Sequence, residues 1–255
     1  MDKIVVITGA SGGIGAALAV EVGRRGGKPV LAARREKELR EVAGRCGGEV
    51  VVTDVTKRHQ VERLRDEAIR RCGGIDVWVN NAGRGISKQV AELTDQDFDE
   101  MMLVNTKSAL YGMQTALKHF KERKRGHIIN ITSMLGRMPV WSPRAAYSAS
   151  KFALNSLTIN LRVDLKAQFP DIHVSSVYPG VVATDFGKNA KYGGPDSRSF
   201  SFAQQPEEIA VMIADLIERP RAELYTRDVF REQIAQYYGA VDVAVLESKP
   251  PWVRR

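Results

Sequence analysis

The sequence predicts an α/β chain: one doubly wound parallel sheet of about seven strands, flanked by helices. Three observations predict it. Short β-branched runs alternate with longer amphipathic ones. The short runs are near-continuously apolar, as strands buried on both faces of a parallel sheet are. No Pro- or Ser-rich linker divides the chain, so residues 1–245 read as a single domain.

The elements follow in order. "KIVVITG", "KPVLAAR", "EVVVTDV", "IDVWVNNAG", "GHIINITS" and "IHVSSVYPG" read as six strands, and "RAELYT" supplies a seventh at 222–226. Helical patterns lie between them at 13–25, 36–46, 57–72, 97–124 and 145–168, with another at 206–218 after the sixth strand. The basic cluster "KERKRGH" closes the 97–124 helix, where cations suit the dipole and Gly126 marks the stop. Residues 185–205, "DFGKNAKYGGPDSRSFSFAQQ", are polar, glycine-rich and aperiodic. A loop this long beyond a strand end suggests a lid over a ligand site. Residues 246–255 read as an extended C-terminal tail.

Composition narrows the function. The 255 residues are 44% hydrophobic, enough for a sizeable core, and carry a net charge of +8. Basic and aromatic residues do not interleave, so no nucleic-acid partner is expected. No stretch approaches the length of a membrane span, and a cytoplasmic location is expected. Cys46 and Cys72 stand alone, and His59, His119, His127 and His173 show no metal-ligand spacing. No metal site is expected.

Two constellations carry chemistry. "VVITGASGGIGAALA" sets Gly9, Ser11, Gly12, Gly13, Ile14 and Gly15 between the first strand and the first helix. Glycines there permit a tight turn and close backbone approach to a pyrophosphate, which the helix N-terminus then attracts. The second strand ends in "LAARRE": Ala33 supplies no carboxylate for a ribose hydroxyl, and Arg34 suits a 2′-phosphate by charge and by its fork of donors. Ser11 can add a hydroxyl to that phosphate, while Arg35 reads more simply as the start of a charged helix. The cofactor expected is therefore NADP rather than NAD. The second constellation is "AAYSASKFALNSL", where Tyr147 and Lys151 share one helix face. An adjacent cation favours the phenolate and lowers the phenol's ordinary pKa of roughly 10 toward neutrality.

"TGASGGIG", Asp54–Val55, "NNAG" at 80–83, Asn105, Ser133, Tyr147–Lys151 and "YPGVVAT" at 178–184 occur in that order. Each motif is weak alone; the seven together are specific. The chain resembles the short-chain dehydrogenase/reductase family, in its compact single-domain branch. The resemblance implies a Rossmann-type sheet, a nicotinamide cofactor, and hydride transfer between it and a small-molecule alcohol or ketone. It implies Asn105, Ser133, Tyr147 and Lys151 as catalytic residues, with Tyr147 as general acid/base. It implies cofactor contacts from Asp54, Val55, Asn81, Ala82, Gly83, Tyr147, Lys151, Pro179, Gly180, Val182 and Thr184. It also implies a homodimer or homotetramer paired through the two long helices. Ser133 and Tyr147 lie 147 − 133 = 14 positions apart, one more than the commoner family spacing. Substrate-facing candidates are Arg84, Ile86, Met134, Leu135, Met138, Trp141, Tyr178 and Phe186. Arg84, Arg137 and Arg144 either greet an anionic substrate or stand as exposed loop charges, and the second reading is preferred. The alternative function is a catalytically silent, NADP-binding regulatory protein.

Overall fold

The structure, a computed structural model, describes residues 1–248. Seven parallel strands run β1 (Ile4–Thr8), β2 (Lys28–Ala33), β3 (Glu49–Val52), β4 (Val77–Asn80), β5 (Gly126–Ile131), β6 (Ile172–Tyr178) and β7 (Glu223–Tyr225). Their order across the sheet is β3-β2-β1-β4-β5-β6-β7, so the winding reverses between β1 and β4. Crevices for ligands open at the C-terminal strand ends beside such a reversal.

Alternation along each strand feeds two cores. Val5, Ile7, Leu31, Ala33, Val77, Val79, Ile129 and Ile131 point to one face, where α1 (Gly13–Arg24), α2 (Glu36–Cys46) and α7 (Pro206–Glu218) cover them. Val6, Val30, Ala32, Trp78 and Ile128 point to the other. There α3 (Arg58–Cys72), α5 (Ser108–Arg123) and α6 (Ala145–Leu165) pack on them. Strand side chains alternate with period two, so continuously apolar strands are what a sheet with two buried faces requires.

The helices differ from expectation in three places. The stretch expected as one helix over 97–124 is α4 (Asp95–Met102), a π-helical turn at Leu103–Lys107, and α5. A π turn is a local change of hydrogen bonding within a continuous helical run and carries no residue signature of its own, so the pattern does not reveal it. Two further helices, α8 (Val229–Gly239) and α9 (Ala244–Ser248), follow β7. Residues 246–248 thus belong to a helix, not to an extended tail, and the rest of that expected tail lies outside the described residues.

The 185–205 segment has no long element but is well tied down. It pairs with the rest of the chain at Ile86↔Lys191 and Val182↔Gln204. The buried Asp97 carboxylate, which also caps α4 with Thr94, receives Lys191 at 2.8 Å, the Tyr192 hydroxyl at 2.8 Å and Lys88 at 2.9 Å. Those bonds hold the carboxyl far below the usual carboxylate range, with Lys191 and Lys88 contributing most.

Candidate active site

The glycine turn follows β1. Gly9 and Gly13 have φ of 69° and 55°, a conformation L-residues with side chains rarely adopt. The turn is clamped from β4: the Asn81 side chain donates to the carbonyls of Thr8 at 2.9 Å and Gly9 at 3.3 Å. The Thr8 hydroxyl accepts from the backbone of Asn81 and Ala82 at 3.0 and 3.1 Å. Asn81 therefore acts on the shape of the turn through its side chain, a structural use that the sequence did not reveal. Among the described residues no side chain caps α1 behind Gly12, which leaves its first-turn N–H groups for an anion. Ile14 packs its side chain on the first core. The turn as built fits a dinucleotide pyrophosphate.

At the end of β2 the two arginines divide differently from expectation. Arg35 donates to the Ser11 hydroxyl at 3.0 and 3.2 Å and to the Ser11 carbonyl at 3.1 Å, and its guanidinium lies against Gly12. It does more than open α2. The i,i+3 partner Glu38, 3.4 Å away, steadies it. Arg34 is exposed and acts electrostatically on Asp54. The Asp54 carboxylate accepts from the Thr56 hydroxyl at 2.7 Å and backbone at 3.0 Å. Burial works to raise its pKa, but these bonds and the Arg34 charge bring it below the ordinary value. Val55 packs against the second core.

The polar cluster sits where β5, the π turn and α6 meet. Tyr147 and Lys151 are both buried on α6. The Lys151 ammonium donates to the Ile131 carbonyl at 2.8 Å and lies 5.8 Å from the Tyr147 ring centre. Ser133 accepts from Leu135 N–H at 3.1 Å. Asn105 lies in the π turn, and its side chain is fully engaged. It accepts from Arg84 N–H at 2.8 Å and donates to the Arg84 carbonyl and the Ser150 hydroxyl, both at 3.0 Å. A Cβ on Gly83 would stand 3.0 Å from Asn105 Oδ1, so the chain after β4 runs tight against this cluster.

The electrostatics correct one expectation. Lys151 is expected to lower the Tyr147 phenol, yet burial pushes that phenol up to about 12. What pulls against the rise is a hydrogen bond with Ser133 and the charge of Arg144. Burial meanwhile lowers Lys151 to about 8. With its ammonium directed to Ile131, Lys151 is a weaker partner for the phenol than the i,i+4 spacing suggests.

After β6, Pro179 accepts from Met134 N–H at 3.0 Å, Gly180 faces the Phe230 ring, and Val182 pairs with Gln204. Thr184 reaches back to Gly13 across the crevice. Phe186 packs edge-on against Tyr147, ring centres 5.5 Å apart. Four of the expected substrate-facing residues are core instead. Ile86 is packed with Met101, Ala146 and Tyr147. Tyr178 stacks on Tyr225 at 4.6 Å, with Met134 and Met138 in the same cluster. An apolar side chain near a strand end reads alike whether it lines a cleft or fills a core. Arg84 is indeed a surface charge, paired with Glu100 at 2.6 Å. Arg137 and Arg144 are not: each is half-buried. Among the described residues, no three His, Cys, Asp or Glu gather as a metal site would need.

The family model for short chain dehydrogenases matches residues 3–193. This chain belongs to that family. As a short chain dehydrogenase it is an oxidoreductase with a nucleotide-binding Rossmann-like sheet. It is 34% identical over 223 residues to an uncharacterised oxidoreductase of Staphylococcus aureus, covering 86% of this chain and 93% of that one. It is similar to a crystal structure of a short chain dehydrogenase/reductase from Burkholderia phymatum in complex with NAD. There the TM-score is 0.85 at 24% identity, over 93% of each chain, a likeness of fold. It is also similar to an alcohol dehydrogenase of the archaeon Thermococcus sibiricus complexed with 5-hydroxy-NADP. That match has 30% identity and a TM-score of 0.76, over 90% of this chain and 98% of that one.

Proposed function

We propose that this oxidoreductase prefers NADP and interconverts an alcohol and a carbonyl compound, with Tyr147 as its general acid and base. The observation that carries the proposal is the joint burial of Ser133, Tyr147 and Lys151 at the crevice floor, beyond a glycine turn held open by Arg35 and Asn81. NADP supplies or accepts the hydride when bound. Its 2′-phosphate would meet Arg35, Arg34 and Ser11. Its pyrophosphate would meet the uncapped N-terminus of α1, from Gly12 to Gly15. Asp54 and Val55 would flank the adenine, and Ala82 and Gly83 the sugar beyond. Pro179, Gly180, Val182 and Thr184 would hold the nicotinamide end. The alcohol dehydrogenase relative in complex with 5-hydroxy-NADP supports the same preference.

The residues of this chain do the rest. Ser133 donates to the substrate oxygen and fixes its distance from Tyr147. With its phenol near 12, Tyr147 keeps its proton at neutral pH, and so has it ready for the oxygen of a carbonyl being reduced. In the oxidative direction, the Lys151 ammonium stabilises the phenolate that accepts the proton. Asn105 holds the Arg84 backbone and would serve in returning the proton to solvent. Phe186 covers Tyr147, so we read residues 185–205 as a lid that shifts to admit substrate.

The exposed Ile159 and Val163 on α6 suit pairing with a second copy, and the two unpaired cysteines suit a reducing, cytoplasmic setting. The test is reduction of a panel of ketones by the purified chain with NADPH and with NADH. The proposal expects turnover with a clear excess of kcat/KM for NADPH; equal rates would remove the preference, and no turnover with either would remove the activity.

A further inference from the structure

Five cations on the segments around the crevice mouth are each paired with a carboxylate: Arg84 with Glu100, Lys88 and Lys191 with Asp97, Lys188 with Asp196, and Arg198 with Asp185. Arg144 is the exception. Among the described residues no carboxylate pairs with it, and the one charged-state partner it feels is Tyr147. It is half-buried nonetheless, and burial alone lowers its pKa. Leaving a guanidinium partly desolvated and unpaired is costly, and structures rarely retain one without a use.

Its geometry is also specific. Nη1 donates to the Ile86 carbonyl at 3.1 Å, which fixes the group but occupies one of its five N–H donors. Glycines flank it: a Cβ on Gly85 would stand 2.6 Å from Nη1, and one on Gly194 would stand 2.9 Å from Nη2. Arg144 lines a cleft of about 180 Å³ together with Ser87, Trp141, Tyr192 and Gly193. Arg144 precedes Tyr147 by three positions, roughly one helical turn. Gly85 bridges the two sites, since it faces both Arg144 and Phe186, and Phe186 covers the phenol.

We propose that Arg144 is an anion anchor in the substrate cleft, and that the substrate is a carboxylic acid whose reacting carbonyl lies a few bonds from its carboxylate. The inference rests on Tyr147 as proton donor and names the substrate class for that site. A single guanidinium offers a planar fork that matches one carboxylate. With the neighbouring cations already neutralised, one negative charge is what the cleft can balance. A neutral ketone would leave Arg144 unpaired as the lid closes.

The experiment compares acetoacetate and levulinate, each against its methyl ester, in the wild type and in Arg144→Gln. The proposal expects the acids to be preferred over the esters by kcat/KM. It expects Arg144→Gln to lower that acid-to-ester ratio by about 100-fold, the size of a lost charge-assisted contact. Arg144→Lys should recover part of the ratio. A ratio unchanged by the substitution, or esters preferred by the wild type, overturns the anchor while leaving the dehydrogenase activity standing. If no carbonyl compound is reduced at all, the activity fails instead, and calorimetry of levulinate with the NADPH-saturated protein decides the anchor separately. Weaker binding in Arg144→Gln supports it, and equal binding overturns it.

Discussion

Arg35 donates two hydrogen bonds to the hydroxyl of Ser11, 3.0 and 3.2 Å long, and so lays a guanidinium along the glycine turn. The pair joins the end of β2 to the first phosphate loop. On the proposed reading, that fixed positive charge is what would meet an adenosine 2′-phosphate.

Arg35→Ala should therefore change cofactor choice more than catalysis. Losing a charge-assisted contact to phosphate costs on the order of 2 kcal/mol, or roughly 10- to 100-fold. The expected outcome is a fall of that size in kcat/KM for NADPH, from KM chiefly, with NADH little affected. Steady-state kinetics with both nucleotides checks it. A parallel loss with NADH would mean that Arg35 shapes the turn and does not read the phosphate.

Lys151 makes a stability prediction with a definite sign. Its folded pKa is depressed to about 8 from 10.5 by burial. Between those values the unfolded chain holds a proton that the folded chain has released, so stability rises with pH across the window. Lys151→Met removes that slope. Urea titrations from pH 7.5 to 10.5 should show the wild type gaining on the variant by up to roughly 3 kcal/mol. A difference that stays flat with pH would contradict it.

Asp97→Asn should loosen the 185–205 segment. Two ammonium groups and a tyrosine hydroxyl converge on this carboxylate, and a neutral amide cannot replace its charge. Limited proteolysis should cut within 185–205 several-fold faster, while the helical circular dichroism is unchanged. The carboxyl's pKa is depressed in the fold, so its contribution is present above the pH where an unfolded aspartate titrates and fades as pH falls below it.

Gly112→Ala should destabilise the fold from the side of α5. A Cβ at Gly112 would collide with Asn80 Oδ1 and crowd Trp78 Nε1, which is 2.8 Å from that same oxygen. Asn80 continues to Asn130 at 2.8 Å and Asn130 to Thr158 at 2.8 Å, so the network cannot shift freely. Overpacking of this kind costs about 1–3 kcal/mol, readable as a lowered Tm.

Much of this molecule could be read in its residues, and the exceptions have physical reasons. All seven strands appear where their apolar runs stand, because burial on both faces leaves little choice of residue. Tyr147, Lys151 and Ser133 are all buried where β5 meets α6. The helix at 229–239 escapes the sequence reading because α8 rests on the fold with one buried residue, Ile234, and so shows little periodicity. The π turn at Asn105 was invisible because it changes hydrogen bonding without changing composition. The sequence could not place Arg35 and Arg144, because it displays a charge but not its partner. Glu100 neutralises Arg84, whereas among the described residues no carboxylate meets Arg144, and only the folded chain distinguishes them.

The central claim is that the Tyr147 phenol carries the proton for a bound nicotinamide cofactor. The most direct measurement is single-turnover NADPH oxidation by Tyr147→Phe with a carbonyl substrate, alongside NADPH affinity from fluorescence. The account predicts a fall in rate of at least about 100-fold, the lower range for a positioned general acid, with NADPH binding intact. A variant that binds NADPH and reduces the substrate at the parent rate would contradict it.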